Sequence, residues 1–281
     1  MENTERKYKI LKEDSLLVTD KGQILEKEEL NAMPTEKRPK VHTLYRIQAI
    51  RDIPGIVKAG EKGGYIEHEN NLSHDGNCWL KYGYVYNGSK IENNAQVMDD
   101  VFLNDTVVAG NATVEEDAIL DRCLITDHSI VKGFSQVTDT ETRNNAQISD
   151  SRISRCSLRD NVVVTQSCLK DTKMRGNTRA IDTEAENAYI INDARVISGH
   201  LLNGTFLHGR ATIENSWIGN AILGGDVKVQ NCAWAMAQNI QLNRGTFDKA
   251  KLPIKEETKE KPRPNLKPKA KKTAKTNDME R

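Results

Sequence analysis

Between Leu80 and Trp234 a large, mostly aliphatic residue recurs every fifth or sixth position, a spacing that few folds can use. The series begins Leu80, Val85, Ile91, Val97, Leu103, Val108, Val114, Leu120, Ile125, Val131 and Val137. It continues through Thr142, Ile148, Ile153, Leu158, Val164, Leu169, Met174, Ala180, Ala185, Ile190, Val196, Leu202, Leu207, Ile213, Ile218, Leu223 and Val229. From Val137 to Ile190 the steps close on a sixteen-residue unit. Two positions before such a station usually stands a small or β-compatible residue, as at Ala95, Ala112, Ala118, Ser129, Ala146, Thr172, Ala188, Ala194 and Ala211. In an extended segment, residues two apart share a face. Each unit therefore offers one large and one small side chain to an interior and then turns a corner. Three such strands make one triangular coil, and coils stack about 4.8 Å apart through backbone hydrogen bonds.

The pattern predicts an all-β chain built on a single-stranded parallel β-helix. About 29 stations at three per coil give nine or ten coils, a prism roughly 45 Å long. Aromatic residues make up only 5% of the chain, too few to fill a wide layered core but enough for a narrow aliphatic one. Asn or Asp precedes many of the small residues, at Asn94, Asn111, Asp117, Asn145, Asn161, Asn177, Asn187, Asp193, Asn220 and Asp226. These positions are the expected left-handed corners. No proline occurs between Pro54 and Pro253, as a ladder that uses every backbone N–H requires.

Around the repeat the composition changes. "KYKILKEDSLLV" and "HTLYRIQAI" alternate apolar and polar residues and predict two strands, with a charged insertion at 20–41 that holds a short helix. The predicted organisation is an N-terminal β-cap over 1–77, the β-helix over 78–234, a closing flap over 235–252, and a disordered Lys/Pro-rich tail over 253–281. From Lys261 to Lys275 the tail has basic residues and no acidic ones. Its Lys261, Arg263, Lys267, Lys269, Lys271, Lys272 and Lys275 form a candidate non-specific tether to nucleic acid or another anionic surface. Aromatic residues for base stacking are missing from it, so sequence specificity is not expected.

The formal net charge is +1, which gives no global electrostatic case for a polyanionic partner. The charged opening stretch and the lack of a long apolar run point to a cytoplasmic protein without a transmembrane segment. Five scattered cysteines suit a reducing compartment. Cys78, Cys123, Cys156 and Cys232 each lie two before a large apolar residue and read as small core fillers. "HENNLSHDGNC" offers His68, His74, Asp75 and Cys78, but its Gly, Asn and Leu content fits a cap-to-coil turn better than a metal site. "KAGEKGGY" lacks the strand–helix context of a nucleotide-binding loop, and Gly63–Gly64 are expected in a tight turn.

The stretch from Tyr45 to Leu80 carries "YRIQAIRD", "GGYI" and "NLSHDGNCW", and degenerate hexapeptide-like units follow it. In this it resembles a mostly uncharacterised family of phage, prophage and bacterial parallel β-helix proteins, labelled either hexapeptide-type transferases or bactofilin-like polymer-forming proteins. The resemblance implies the fold and a mobile-element origin, and assigns no catalytic residue. The hexapeptide spacing favours a left-handed coil; the five-residue steps would also fit a right-handed coil of the bactofilin kind. The 20–41 insertion and the basic tail depart from the family pattern.

Two function classes follow. A hexapeptide-type acyltransferase would bind acyl-CoA along the prism and use a histidine base. His208 and His128, both at corners, are the only candidates; His200 falls at an inward small-residue position. The other class is a non-enzymatic module without cofactor that self-associates or docks an unidentified protein through its flat faces. Arg143, Arg152, Arg155, Arg159, Arg175 and Arg179 are expected to point outward from those faces. The uninterrupted repeat leaves no loop to shape an acceptor pocket, so the module is the expected class.

Overall fold

A computed structural model describes residues 6–248 except 134, 151, 167, 202–203, 216–220 and 232–239. The chain winds into a parallel β-solenoid of about nine turns. On the first face, Ile66, Val85, Leu103, Leu120, Val137, Ile153, Leu169, Ala185 and Leu201 pair in succession. The second face stacks Leu72, Ile91, Val108, Ile125, Thr142, Leu158, Met174, Ile190, Leu207 and Leu223. The third stacks Leu80, Val97, Val114, Val131, Ile148, Val164, Ala180, Val196, Ile213 and Val229. Ile148, Ile153 and Leu158 are fully buried, as the repeat requires. Coils such as that from Val108 to Ile125 advance 17 residues, those from Val137 to Ile190 advance 16, as from Ile153 to Leu169, and the step from Ile190 to Leu207 returns to 17. The residue is lost at the corner between the third and first faces.

One station moves. Ala185 pairs with Leu201, so the station on that rung is Leu201 and not Leu202. His200 pairs with Glu184 and stands one residue before the station, not two before it as expected. The segment from Val196 to Leu201 takes one five-residue step where the sequence also permits six.

The small interior positions of the second face form a polar column. Ser89 Oγ donates to the Leu103 carbonyl and accepts from Thr106 N–H, both at 3.0 Å. Thr106 Oγ1 donates to the Asn104 carbonyl at 2.9 Å and accepts from Cys123 N–H at 3.1 Å. Thr140 repeats the arrangement with the Thr138 carbonyl at 2.9 Å and Cys156 N–H at 3.3 Å. Cys123 and Cys156 occupy the same column, and each thiol donates to a backbone carbonyl. These cysteines are core fillers that also satisfy the hydrogen bonding of a hydroxyl site. Cys232 lies outside the described residues.

The corners differ from expectation in a regular way. All eighteen described non-glycine residues with positive φ fall two positions after a station, among them Asn93, Glu116, Asn144, Asp160 and Asn192. The left-handed residue is therefore the one immediately before Asn94, Asp117, Asn145, Asn161 and Asp193. Glycine takes the site at Gly110, Gly176 and Gly225, immediately before Asn111, Asn177 and Asp226. At Gly176 (φ +94°) a Cβ would stand 2.6 Å from the Asn192 carbonyl oxygen of the next coil. The expected asparagines have another task, described below.

The cap consists of β1 (Tyr8–Thr19), β2 (Ile24–Leu25), α1 (Lys27–Ala32), β3 (Val41–Ala49) and β4 (Lys62–Ile66). β3 pairs antiparallel with β1 and β4, and β4 pairs parallel with Tyr84–Tyr86, so the first face runs continuously into the cap. Gly63 and Gly64 lie within β4 rather than in a turn. A Cβ on either would stand 2.6 Å from a carbonyl oxygen, of Leu80 and Gly83 respectively, so glycine permits close stacking of the cap. The first coil has open carbonyls, and the chain start satisfies them. Lys7 Nζ donates to the Cys78 carbonyl (2.8 Å), and Tyr8 Oη lies 2.9 Å from the carbonyls of Glu69 and Leu72. At the other end Ile240–Asp248 pairs in parallel with Ala221–Gln230. Among the described residues no helix is long and apolar enough to cross a membrane.

Candidate functional site: the outer faces of the prism

Residues one before and one after each station point outward, so each face carries rows set by the repeat. One corner bears a ladder of side-chain amides. Asn94 Nδ2 donates to Asn111 Oδ1 (3.1 Å), and Asn111 Nδ2 to His128 Nε2 (3.2 Å). Later rungs repeat this from Asn145 to Asn161 (2.8 Å), Asn161 to Asn177 (2.8 Å) and Asn177 to Asp193 (2.9 Å). His128 is thus one rung of a structural ladder. A shallow recess of about 450 Å³ beside it is lined by Asp127, His128, Asn144, Asn145, Asp160 and Asn161, all corner residues.

His208 lies one position after Leu207 on the second face. Its ring is tilted against Phe206 at 5.2 Å and rests over Gly224, where any Cβ would collide with the imidazole. The structure does not bring His128 and His208 together: one belongs to the rungs around Ile125, the other to those around Leu207. No carboxylate partner of the kind that orients a general base is found at either ring among the described residues.

The cap histidines are also engaged. His74 Nδ1 accepts from Lys7 N–H (3.3 Å), its Nε2 lies 3.0 Å from Glu69, and its ring stacks on Tyr8 at 4.4 Å. The Cys78 thiol is buried 3.1 Å from Lys7 Nζ. Burial raises the Cys78 pKa, against the pull of the lysine, and burial lowers the pKa of Lys7. His68 is 3.9 Å from Glu67. Among the described residues no group of three or more His, Cys, Asp or Glu is arranged to hold a metal ion.

Sequence alone gave no sign of His42. It is 5% exposed and clamped between two carboxylates, with Nε2 2.6 Å from Asp20 and Nδ1 3.0 Å from Glu67. Glu67 also accepts from Asn87 N–H (2.7 Å), so the clamp joins both ends of the charged insertion to the first coils. Burial works against the charged imidazole, but the two carboxylates outweigh it and raise the His42 pKa.

The outward arginines mostly have partners. Arg143 and Arg159 share Glu141, Arg155 approaches Asp139 at 3.9 Å, and Arg175 lies 3.6 Å from Asp160. Arg179 stands directly opposite Arg195 on the next rung, both exposed. The tether residues Lys261, Arg263, Lys267, Lys269, Lys271, Lys272 and Lys275 lie outside the described residues.

The second face shows what sequence reading missed. Tyr189, Phe206 and Ile222 stack in register one before their stations. Tyr189 is 44% exposed and Ile222 41%. Lys173 precedes them in the row, its ammonium 5.5 Å from the Tyr189 ring. The signal was present as an apolar residue beside each station on three consecutive rungs. A similar row on the first face, Tyr65, Tyr84 and Phe102, is stacked at 5.8 and 4.4 Å and packs against the cap through Leu16, Val18 and Leu44. No protein-family model matches the sequence, and a search of curated proteins finds no match.

Proposed function

We propose that this chain is a non-enzymatic β-solenoid of phage or mobile-element type, acting in the bacterial cytoplasm, that docks protein through its outer faces, another copy of itself included. The observation that carries this reading is the Tyr189–Phe206–Ile222 row, in which Tyr189 and Ile222 are exposed on either side of a half-buried Phe206. The equivalent aromatic row on the first face is packed under the cap, whereas this one is apolar surface on a flat, rigid sheet. Flat solenoid faces suit extended contacts, and clustered exposed apolar side chains mark interaction surfaces.

The competing activity, acyl transfer from acyl-CoA, requires a poised base. His128 hydrogen-bonds within the amide ladder, and His208 packs on Phe206 and Gly224. Light scattering coupled to size exclusion tests the docking role. The full chain, or its complex with partners recovered from the native host, should lose mass in Tyr189→Ser/Ile222→Ser. Acyl-CoA turnover that disappears in His208→Ala or His128→Ala would overturn the reading. The tail adds an electrostatic tether: removal of residues 253–281 should abolish retention on a polyanion column, and unchanged retention would exclude it.

A further inference from the structure

We infer that the occupant of the Tyr189–Phe206–Ile222 face is a second copy of this chain, presenting the acidic corner that carries Asp99, Asp100, Glu116 and Asp117. The inference rests on the docking role proposed above and names its partner.

Residues 249–281 hold 12 of the 41 basic and 5 of the 40 acidic residues, which leaves a net charge of −6 on the rest of the chain. Part of that surplus is gathered at one corner. In the middle coils Glu141, Asp139 and Asp160 each have an arginine. Asp99, Asp100, Glu116 and Asp117 are exposed, and among the described residues none of them forms an ion pair. They occupy the corner between the third and first faces in the early coils, where the longer six-residue step adds Asp100 and Asp117. Like charges stacked one rung apart are unfavourable until a cation neutralises them.

The complementary surplus lies beside the apolar row. Arg179 and Arg195, paired in register across adjacent rungs, are exposed without an ion pair among the described residues. They flank the corner that closes the second face, and Lys173 heads the row itself. Cations thus border the apolar patch where carboxylates border the other surface.

Two residues after Asp117, Ile119 is 38% exposed and continues the outward row of Phe102 in register. The acidic corner therefore adjoins one exposed apolar side chain, Ile119, and the other surface two, Tyr189 and Ile222, with unneutralised charge of opposite sign beside each. The surfaces lie on different corners and different rungs, so the contact is heterologous. Each copy bound through one surface leaves the other open, and assembly proceeds to a ring or a filament.

Sedimentation velocity of the full chain at about 50 mM and about 500 mM salt tests this, because exposed ion pairs weaken as the screening length shortens. Association is expected at low salt and should weaken at least about tenfold at high salt. Arg179→Glu/Arg195→Glu and Asp100→Lys/Asp117→Lys should each lose association by a similar factor while keeping wild-type melting temperatures. Mixing the two variants should restore it, since each then offers a surface complementary to the other. A wild-type chain that stays monomeric at low salt overturns the inference. Association that survives both charge reversals but disappears in Tyr189→Ser/Ile222→Ser overturns the acidic-corner assignment and leaves the docking face standing. Association unaffected by any of the three overturns both.

Discussion

Thr142 is the one polar residue at a described station, and replacing it with valine should stabilise the protein. Its side chain is completely buried between Ile125 and Leu158, and Oγ1 has no hydrogen-bond partner. A buried hydroxyl without a partner costs about 1–3 kcal/mol, and a methyl in its place adds about 0.8 kcal/mol of burial. Some of this is offset by the slightly larger volume in a close-packed column. The net expectation for Thr142→Val is about 1–2 kcal/mol of stabilisation. For a domain of this size each kcal/mol moves Tm by about 2–4 °C, so the rise should be roughly 2–8 °C. Thr140, two residues earlier, is the internal control. Its hydroxyl donates to the Thr138 carbonyl and accepts from Cys156 N–H, so Thr140→Val should lower Tm through the stranded amide. Calorimetry at several scan rates reads both. A fall in Tm for Thr142→Val, or a rise for Thr140→Val, would refute the assignment of one threonine to a dry aliphatic column and the other to a hydrogen-bonded one.

Other outcomes follow from the same geometry. Ile148→Ala should cost about 2–5 kcal/mol, read as a lower Tm and faster proteolysis, because the buried column cannot collapse around the cavity. In a Cys232→Ser background a maleimide should label Cys168 alone in the native state and all four remaining cysteines after denaturation. Burial raises the Cys123 thiol to about 12 and that of Cys156 to about 11, and holds Cys78 above its ordinary value. The His42 clamp should give stability a pH window. The His42 pKa is raised on folding, so its contribution is complete below the unfolded value near 6.5 and is lost as pH rises through the folded one. The hydrogen bond to His42 lowers the Asp20 pKa, so its contribution is present above the unfolded value near 3.8 and is lost on acidification. Tm should therefore plateau between these limits, and His42→Gln should remove most of the alkaline decline; an unchanged decline would show that the clamp does not titrate.

The architecture was legible because a solenoid writes one geometric rule many times. Ile148, Ile153 and Leu158 announce inward stations by spacing alone, and a proline-free span confirms that every amide is in use. Corner detail was less legible. The left-handed residue and the side-chain amide ladder occupy adjacent positions, and both favour Asn and Asp, so composition cannot assign Asn144 to one and Asn145 to the other. The Leu201–Leu202 ambiguity has the same root: two neighbouring leucines satisfy a five- or a six-residue step equally, and only the pairing with Ala185 chooses. Gly63 and Gly64 were legible only as turn residues, since the carbonyls that require glycine in the strand come from the next coil. His42 carried no local signal. Its partners Asp20 and Glu67 are distant in sequence and meet it only when β3 pairs with β1 and β4. The outward row Tyr189, Phe206 and Ile222 was readable once each station had been placed.

The register of one coil on the next is tested most directly by paired spin labels on the third face. Gln147 and Val163 pair directly on adjacent rungs, sixteen residues apart. With both replaced by cysteine in a background lacking Cys168 and Cys232, labels about 5 Å apart at the backbone should show strong spin exchange. Moving the second label to Arg179 doubles the backbone separation to about 10 Å and should reduce exchange to dipolar broadening. Loss of exchange for the first pair, or equal spectra for the two, would contradict the stacked-coil architecture.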